Sequence, residues 1–184
     1  MVVATPPKLT VEEFFKLHGH ESNAELVRGI VVRYPMAGAN HGRVCTNAAF
    51  ELESYYRANK SGRVMSNDTL IRISPDTARG ADVCSLSYTK LPSGQRLPEG
   101  VLEISPDVVI EVRSPSDLWT KLLTKVIEYL SIGVPVVVIL DPPTESASVF
   151  RSGTRQDTFE KDEELTLPDV LPGFVVPVAR FFEE

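Results

Sequence analysis

Residues Ser105 to Asp141 read SPDVVIEVRSPSDLWTKLLTKVIEYLSIGVPVVVILD, and this stretch decides the fold. Val108 to Val112 is β-branched and almost wholly apolar, the pattern of a strand buried on both faces of a sheet. Ser114-Pro115 stops it, and Ser116 or Asp117 is placed to cap a following helix. Gly133 and Pro135 end that helix, and Val136 to Leu140 reads as a second buried strand. The unit is β-α-β. One residue of its first strand is a misfit: Glu111, a carboxylate that is costly to bury unless a cation or hydrogen bonds meet it.

Upstream, Thr10 and Glu13 have capping-box spacing ahead of a short helix over Val11 to Leu17, ended by Gly19. His18 and His20 beside that glycine read as solvated loop residues. Ala24 to Tyr34 reads as two short strands turning at Gly29. In His41 to Asn59, Val44, Ala48, Leu52 and Tyr55 or Tyr56 recur at helical spacing. Two strands, Arg63 to Met65 and Thr69 to Ile73, are expected around a turn at Ser66-Asn67-Asp68. Ala81 to Ser87 is a further strand, and Ala147 to Arg151 pairs with Gln156 to Phe159 around Gly153. A proline-broken segment, Thr166 to Phe182, closes the chain. The expectation is one α/β domain over 1–184, with a mixed β-sheet flanked by α-helices and a loose tail over 1–8.

Composition narrows the function classes. The longest apolar run, Val134 to Leu140, is far too short to span a bilayer. The first residues, MVVATPPKLT, lack the pattern of a secretory signal. Two cysteines, Cys45 and Cys84, without paired spacing fit a reducing compartment, so a cytoplasmic location is expected. A net charge of −6 and scattered arginines count against a large nucleic-acid footprint, which usually needs a basic face.

Glu111 needs partners before it can do chemistry. Asp107 lies on its face of the strand but about 13 Å away, too far for one ion, and reads as a strand-start residue. Asp82, early in a neighbouring strand, is the stronger partner, with a turn-capping role after Gly80 as its alternative. Glu25 is a third acid, with an exposed edge position as its alternative. Arg113, two residues after Glu111, cannot act as a base but can bind phosphate. On the following helix, Trp119, Leu122, Leu123, Val126, Ile127 and Leu130 form an apolar arc. Lys121 falls on the wet side, while Lys125 and Tyr129 lie at the margin of the arc, within reach of the sheet.

Taken in order, Glu25-Leu26-Val27-Arg28-Gly29, His41-Gly42, Ser74-Pro75-Asp76, Asp82-Val83, Pro106 to Val112, Ser114-Pro115-Ser116, Lys125 with Tyr129-Leu130 and Gly133-Val134, Asp141-Pro142 and Leu171-Pro172-Gly173-Phe174 resemble the Uma-type restriction endonucleases of the PD-(D/E)XK nuclease superfamily. The resemblance spans nearly the whole chain. It implies a restriction-endonuclease-like core and a magnesium or manganese ion held by Asp82, Glu111 and the Val112 carbonyl. It also implies that Glu25 completes the acidic cluster and that Lys125, moved from strand to helix, is the catalytic lysine. The superfamily's strand lysine is replaced here by Arg113, and Val137 stands where an aromatic residue is common. Arg113, His41 and Tyr129 are candidate phosphate contacts.

The leading expectation is therefore a metal-dependent endonuclease acting on DNA as a homodimer. Its rival is an inactive nuclease-fold protein serving as a binding or assembly module, which the acidic balance and the missing strand lysine favour. A metal hydrolase of small substrates is weaker, because no histidine pair supports it.

Overall fold

Apolar alternation and two long helices assemble into an eight-stranded, mostly antiparallel sheet with helices on both faces. The computed structural model describes residues 8–21, 23–115, 117–153 and 156–184. The expected tail lies almost wholly outside this range, as does Ser116.

Helix α1 (Val11–His18) opens with the full Thr10–Glu13 capping box. Strands β1 (Ala24–Val27) and β2 (Ile30–Arg33) form a hairpin, and its turn places both Arg28 and Gly29 at positive φ, as a two-residue hairpin loop requires. Helix α2 (Ala39–Asn59) follows, burying Val44, Ala48, Leu52 and Tyr56. Strands β3 (Gly62–Ser74) and β4 (Thr77–Ser87) are long and paired along their length. Strand β5 (Val108–Val112) is wholly buried, and α3 (Trp119–Ser131) crosses to the parallel strand β6 (Val136–Asp141). Strands β7 (Ser146–Phe150) and β8 (Asp157–Phe159) extend the sheet. The closing segment forms a small pair, β9 (Glu164–Thr166) with β10 (Val175–Pro177), and a 3-10 turn.

The pleat of β5 sorts its residues between two cores. Val108, Ile110 and Val112 pack with α2 and the closing segment. Val109 faces Leu122, Val126 and Tyr129 of α3, and Glu111, two residues on, takes the same side. No helix among the described residues is long and apolar enough to cross a membrane.

Three local expectations change. The turn at residues 66–68 is instead a bulge inside one continuous β3: pairing jumps from Ser66↔Val83 to Thr69↔Ala81, and Asn67 and Asp68 both adopt positive φ. Asn and Asp tolerate that conformation better than other non-glycine residues. Asp117 accepts the Ser114 N–H rather than capping α3, whose N-cap is Leu118 without a side-chain bond. The apolar arc of α3 is only partly buried, for Leu123 and Ile127 are 37% and 67% exposed.

The sheet also forks. β3 covers one edge of β4 from Thr77 to Ser87. The other edge is shared end to end: β1 pairs at Ala78, and β5 pairs at Val83 to Ser85. Residues 79–82 lie between those two partners.

Candidate functional site

The fork leaves backbone groups of β4 unclaimed by any strand, and side chains take them. Gly80 N donates to Glu25 Oε1 at 3.1 Å. Gly80 O accepts from Lys125 Nζ at 2.8 Å and from the Tyr129 hydroxyl at 3.1 Å. Those two donors also reach Glu111: Lys125 Nζ lies 2.6 Å from Oε2, and the Tyr129 hydroxyl 2.9 Å from Oε1. Lys125 Nζ stands 3.2 Å from Glu25 Oε1 as well. One helix thus delivers an ammonium and a phenol, one turn apart, to acids from two strands.

Glu25 is 6% exposed, so the edge-residue alternative is overturned. Besides Lys125 and Gly80, it receives the Tyr34 hydroxyl at 2.9 Å and Arg79 Nη1 at 2.8 Å. Arg79 is itself braced by Glu128 at 2.6 Å. Burial alone would raise the Glu25 pKa, but the charges of Lys125 and Arg79 outweigh it and hold it below the usual range.

Asp82 stands one step beyond the β4–β5 register pair Val83↔Ile110, which is the position facing Glu111. Its Oδ2 accepts the Val112 N–H at 2.7 Å and lies 3.4 Å from His41 Nε2. This bond ties Asp82 to the end of β5, in place of the turn-capping alternative. The Asp82 hydrogen bond raises the His41 pKa against the opposing effect of burial, with a further contribution from the Val112 backbone.

Glu111 is 3% exposed, and its carboxyl is pushed up to about 8, first by burial and then by Asp82 and Glu25, against the pull of Lys125. Burial acts to lower Lys125, but Glu111, Glu25 and Asp82 more than reverse it, so its ammonium keeps its proton. The lysine thus stands as a donor and a counter-charge to both acids.

Arg113 is engaged elsewhere. Its Nε and Nη2 lie 2.8 and 2.7 Å from Asp141 Oδ1, and its guanidinium stacks over Trp119 at 5.6 Å. Asp107 accepts the Ser87 N–H at 2.6 Å and pairs with Lys90, consistent with a strand-start role.

With these positions set, the likeness to known proteins can be read. The Uma2 family, described as "Putative restriction endonuclease", matches the chain over residues 11–179. The chain belongs to the Uma2 family. A solved structure described as a putative nuclease belonging to DUF820 from Anabaena variabilis ATCC 29413 superposes with a TM-score of 0.81 at 21% identity, covering 95% of this chain and 97% of that one. At that identity the likeness speaks for the fold. No curated protein matches.

This Uma2 chain holds site neighbours that sequence reasoning passed over. Asp68, at the β3 bulge opposite Asp82, is an exposed residue whose carboxyl is raised by desolvation among its neighbours and then by Asp82. Bulges of this kind re-aim a side chain beside functional sites, and the Asn67-Asp68 pair was the available signal. Cys45 lies one turn from His41 on α2, with Sγ 3.4 Å from His41 Nδ1. Arg79 and Tyr34 could be found only through the fold, since their partners are distant in sequence.

Proposed function

We propose that this chain is a Mg2+- or Mn2+-dependent endonuclease that hydrolyses DNA phosphodiester bonds. The observation that carries the reading is the part-buried Lys125 ammonium bridging Glu25 and Glu111 of two strands, with Asp82 of a third strand one register step from Glu111. The donor set fits a hard cation, which takes oxygen ligands. Asp82 and Glu111 supply carboxylates from adjacent strands, and the Val112 carbonyl lies beside them in sequence. The charge balance fits too: burial and two further acids push the Glu111 carboxyl up, a state that a divalent cation relieves.

When bound, such an ion supplies Lewis-acid charge for the phosphate and a lowered pKa for water. In this reading Lys125 positions or polarises the attacking water and offsets charge in the transition state. Tyr129 fixes one oxygen of Glu111. Glu25, already bonded by four donors, is a positioning residue for Lys125 and Arg79. His41 is the candidate phosphate contact beside Asp82, whereas Asp141 occupies Arg113. Cleavage of both strands of a duplex uses two such centres, so a homodimer belongs to this reading, as does the reducing cytoplasm that suits two free thiols.

Manganese titration followed by calorimetry, with anomalous diffraction from a soaked crystal, tests it. One ion touching Asp82 and Glu111 is expected, with binding lost in Asp82→Asn and Glu111→Gln. No binding at millimolar manganese would overturn the reading.

A second reading, a non-catalytic binding or assembly module, is favoured by the surface. Among the described residues, arginines 33, 43, 57, 72, 79, 113, 151 and 180 are each paired with a carboxylate, which counts against a large duplex footprint. Manganese binding without any cleavage of DNA would select it.

A further inference from the structure

A second ligand set overlaps the acidic one and has different chemistry. His41 and Cys45 sit four residues apart on α2, so they share one face. Asp82 of β4 lies against that face. One ligand atom from each of the three, an imidazole nitrogen, a sulfur and a carboxylate oxygen, falls within 4.8 Å of the other two. Around a tetrahedral zinc-class ion with bonds of about 2.0–2.3 Å, ligand atoms stand roughly 3.3–3.8 Å apart. Small side-chain rotations close that difference. The three residues are only part-buried, which leaves room for solvent as the remaining ligand.

We propose that His41, Cys45 and Asp82 bind a thiophilic divalent transition ion of the zinc class. Sulfur and imidazole select such an ion over magnesium, which prefers oxygen alone. Asp82 serves both sets, so the softer ion withdraws a ligand from the hard-cation centre and acts as an inhibitor. That consequence rests on the nuclease reading, whereas the binding itself does not.

Cobalt(II) titration of the reduced, metal-free protein tests the binding, because a cobalt–thiolate bond gives a near-ultraviolet charge-transfer band that magnesium ligands cannot produce. Cys45 and Cys84 are the chain's two cysteines, and Cys84 is fully buried in the other core. The expected result is a band saturating at one cobalt per chain, lost in Cys45→Ser, kept in Cys84→Ser and displaced by zinc. No band in the wild type, or a band that survives Cys45→Ser, would overturn the site. Far-ultraviolet circular dichroism of each variant separates lost ligation from lost fold. In a magnesium-supported cleavage assay normalised to each protein's zinc-free rate, zinc should inhibit the wild type more strongly than Cys45→Ser; equal inhibition would overturn the regulatory consequence. A wild type that shows the band but never cleaves would sink the nuclease reading and leave the site standing.

Discussion

Lys125 Nζ stands 2.6 Å from Glu111 Oε2, with the acid buried and the lysine part-buried between α3 and the fork of the sheet. The strand supplies the acid and the helix supplies the cation, so the geometry of the pair depends on how α3 packs on β5. Leu122, Val126 and Tyr129 set that packing.

Replacing Lys125 should therefore separate chemistry from surface charge. Lys125→Met is expected to lower cleavage by about 10²–10³-fold, the range for removing one preorganised donor from a transition state. Lys121→Met, on the exposed side of the same helix, should stay within twofold. Single-turnover rates on a supercoiled plasmid check both.

Glu111 should make stability and metal affinity depend on pH in opposite directions. Its folded carboxyl, at about 8, holds a proton well above the ordinary value of 4.5. Its contribution to stability is therefore fully present below about pH 4.5 and is lost as pH rises through 8. Manganese needs the carboxylate, so its affinity should climb over the same window, with proton release on binding. Melting curves and calorimetry between about pH 5 and 9 should show both trends in the wild type, and Glu111→Gln should flatten the stability trend.

Arg79 bridges Glu25 and Glu128 while 5% exposed. Arg79→Ala leaves Glu128 without this cation and Glu25 with Lys125 alone, and should destabilise the fold by about 3–5 kcal/mol. Arg79→Lys keeps the charge but loses the fork that reaches both acids, so an intermediate loss is expected. Chemical denaturation measures each.

Arg113 offers a contrast. With its guanidinium on Asp141 and Trp119, Arg113→Ala should lower the melting temperature yet leave the salt dependence of DNA binding unchanged. A direct phosphate contact would instead reduce the slope of log affinity against log salt by about one.

Much of this arrangement could be read from residues alone, for a physical reason. Glu111, Asp82 and Glu25 are charges set among apolar strand residues, and burial without partners is too costly to be idle. Lys125 was legible as a long cation at the margin of an apolar arc. The fork of the sheet was not, because it depends on which strands share an edge of β4. Asn67-Asp68 read as a turn because positive φ favours those residues there; only the resumed pairing with β4 on the far side reveals a bulge. The α3 arc is narrower than its periodicity, which records which residues are apolar and not how far the sheet extends to cover Leu123 and Ile127.

The central claim, that acids at the fork and the helix-borne lysine form one hydrolytic centre, is tested most directly by plasmid cleavage in manganese with Asp82→Asn, Glu111→Gln and Lys125→Met beside the wild type. The account expects the wild type to convert supercoiled plasmid to nicked and linear forms, chelation to stop it, and all three variants to fall by at least about 10²-fold. A wild type that stays inert across magnesium and manganese, or variants that cleave at its rate, would contradict the account.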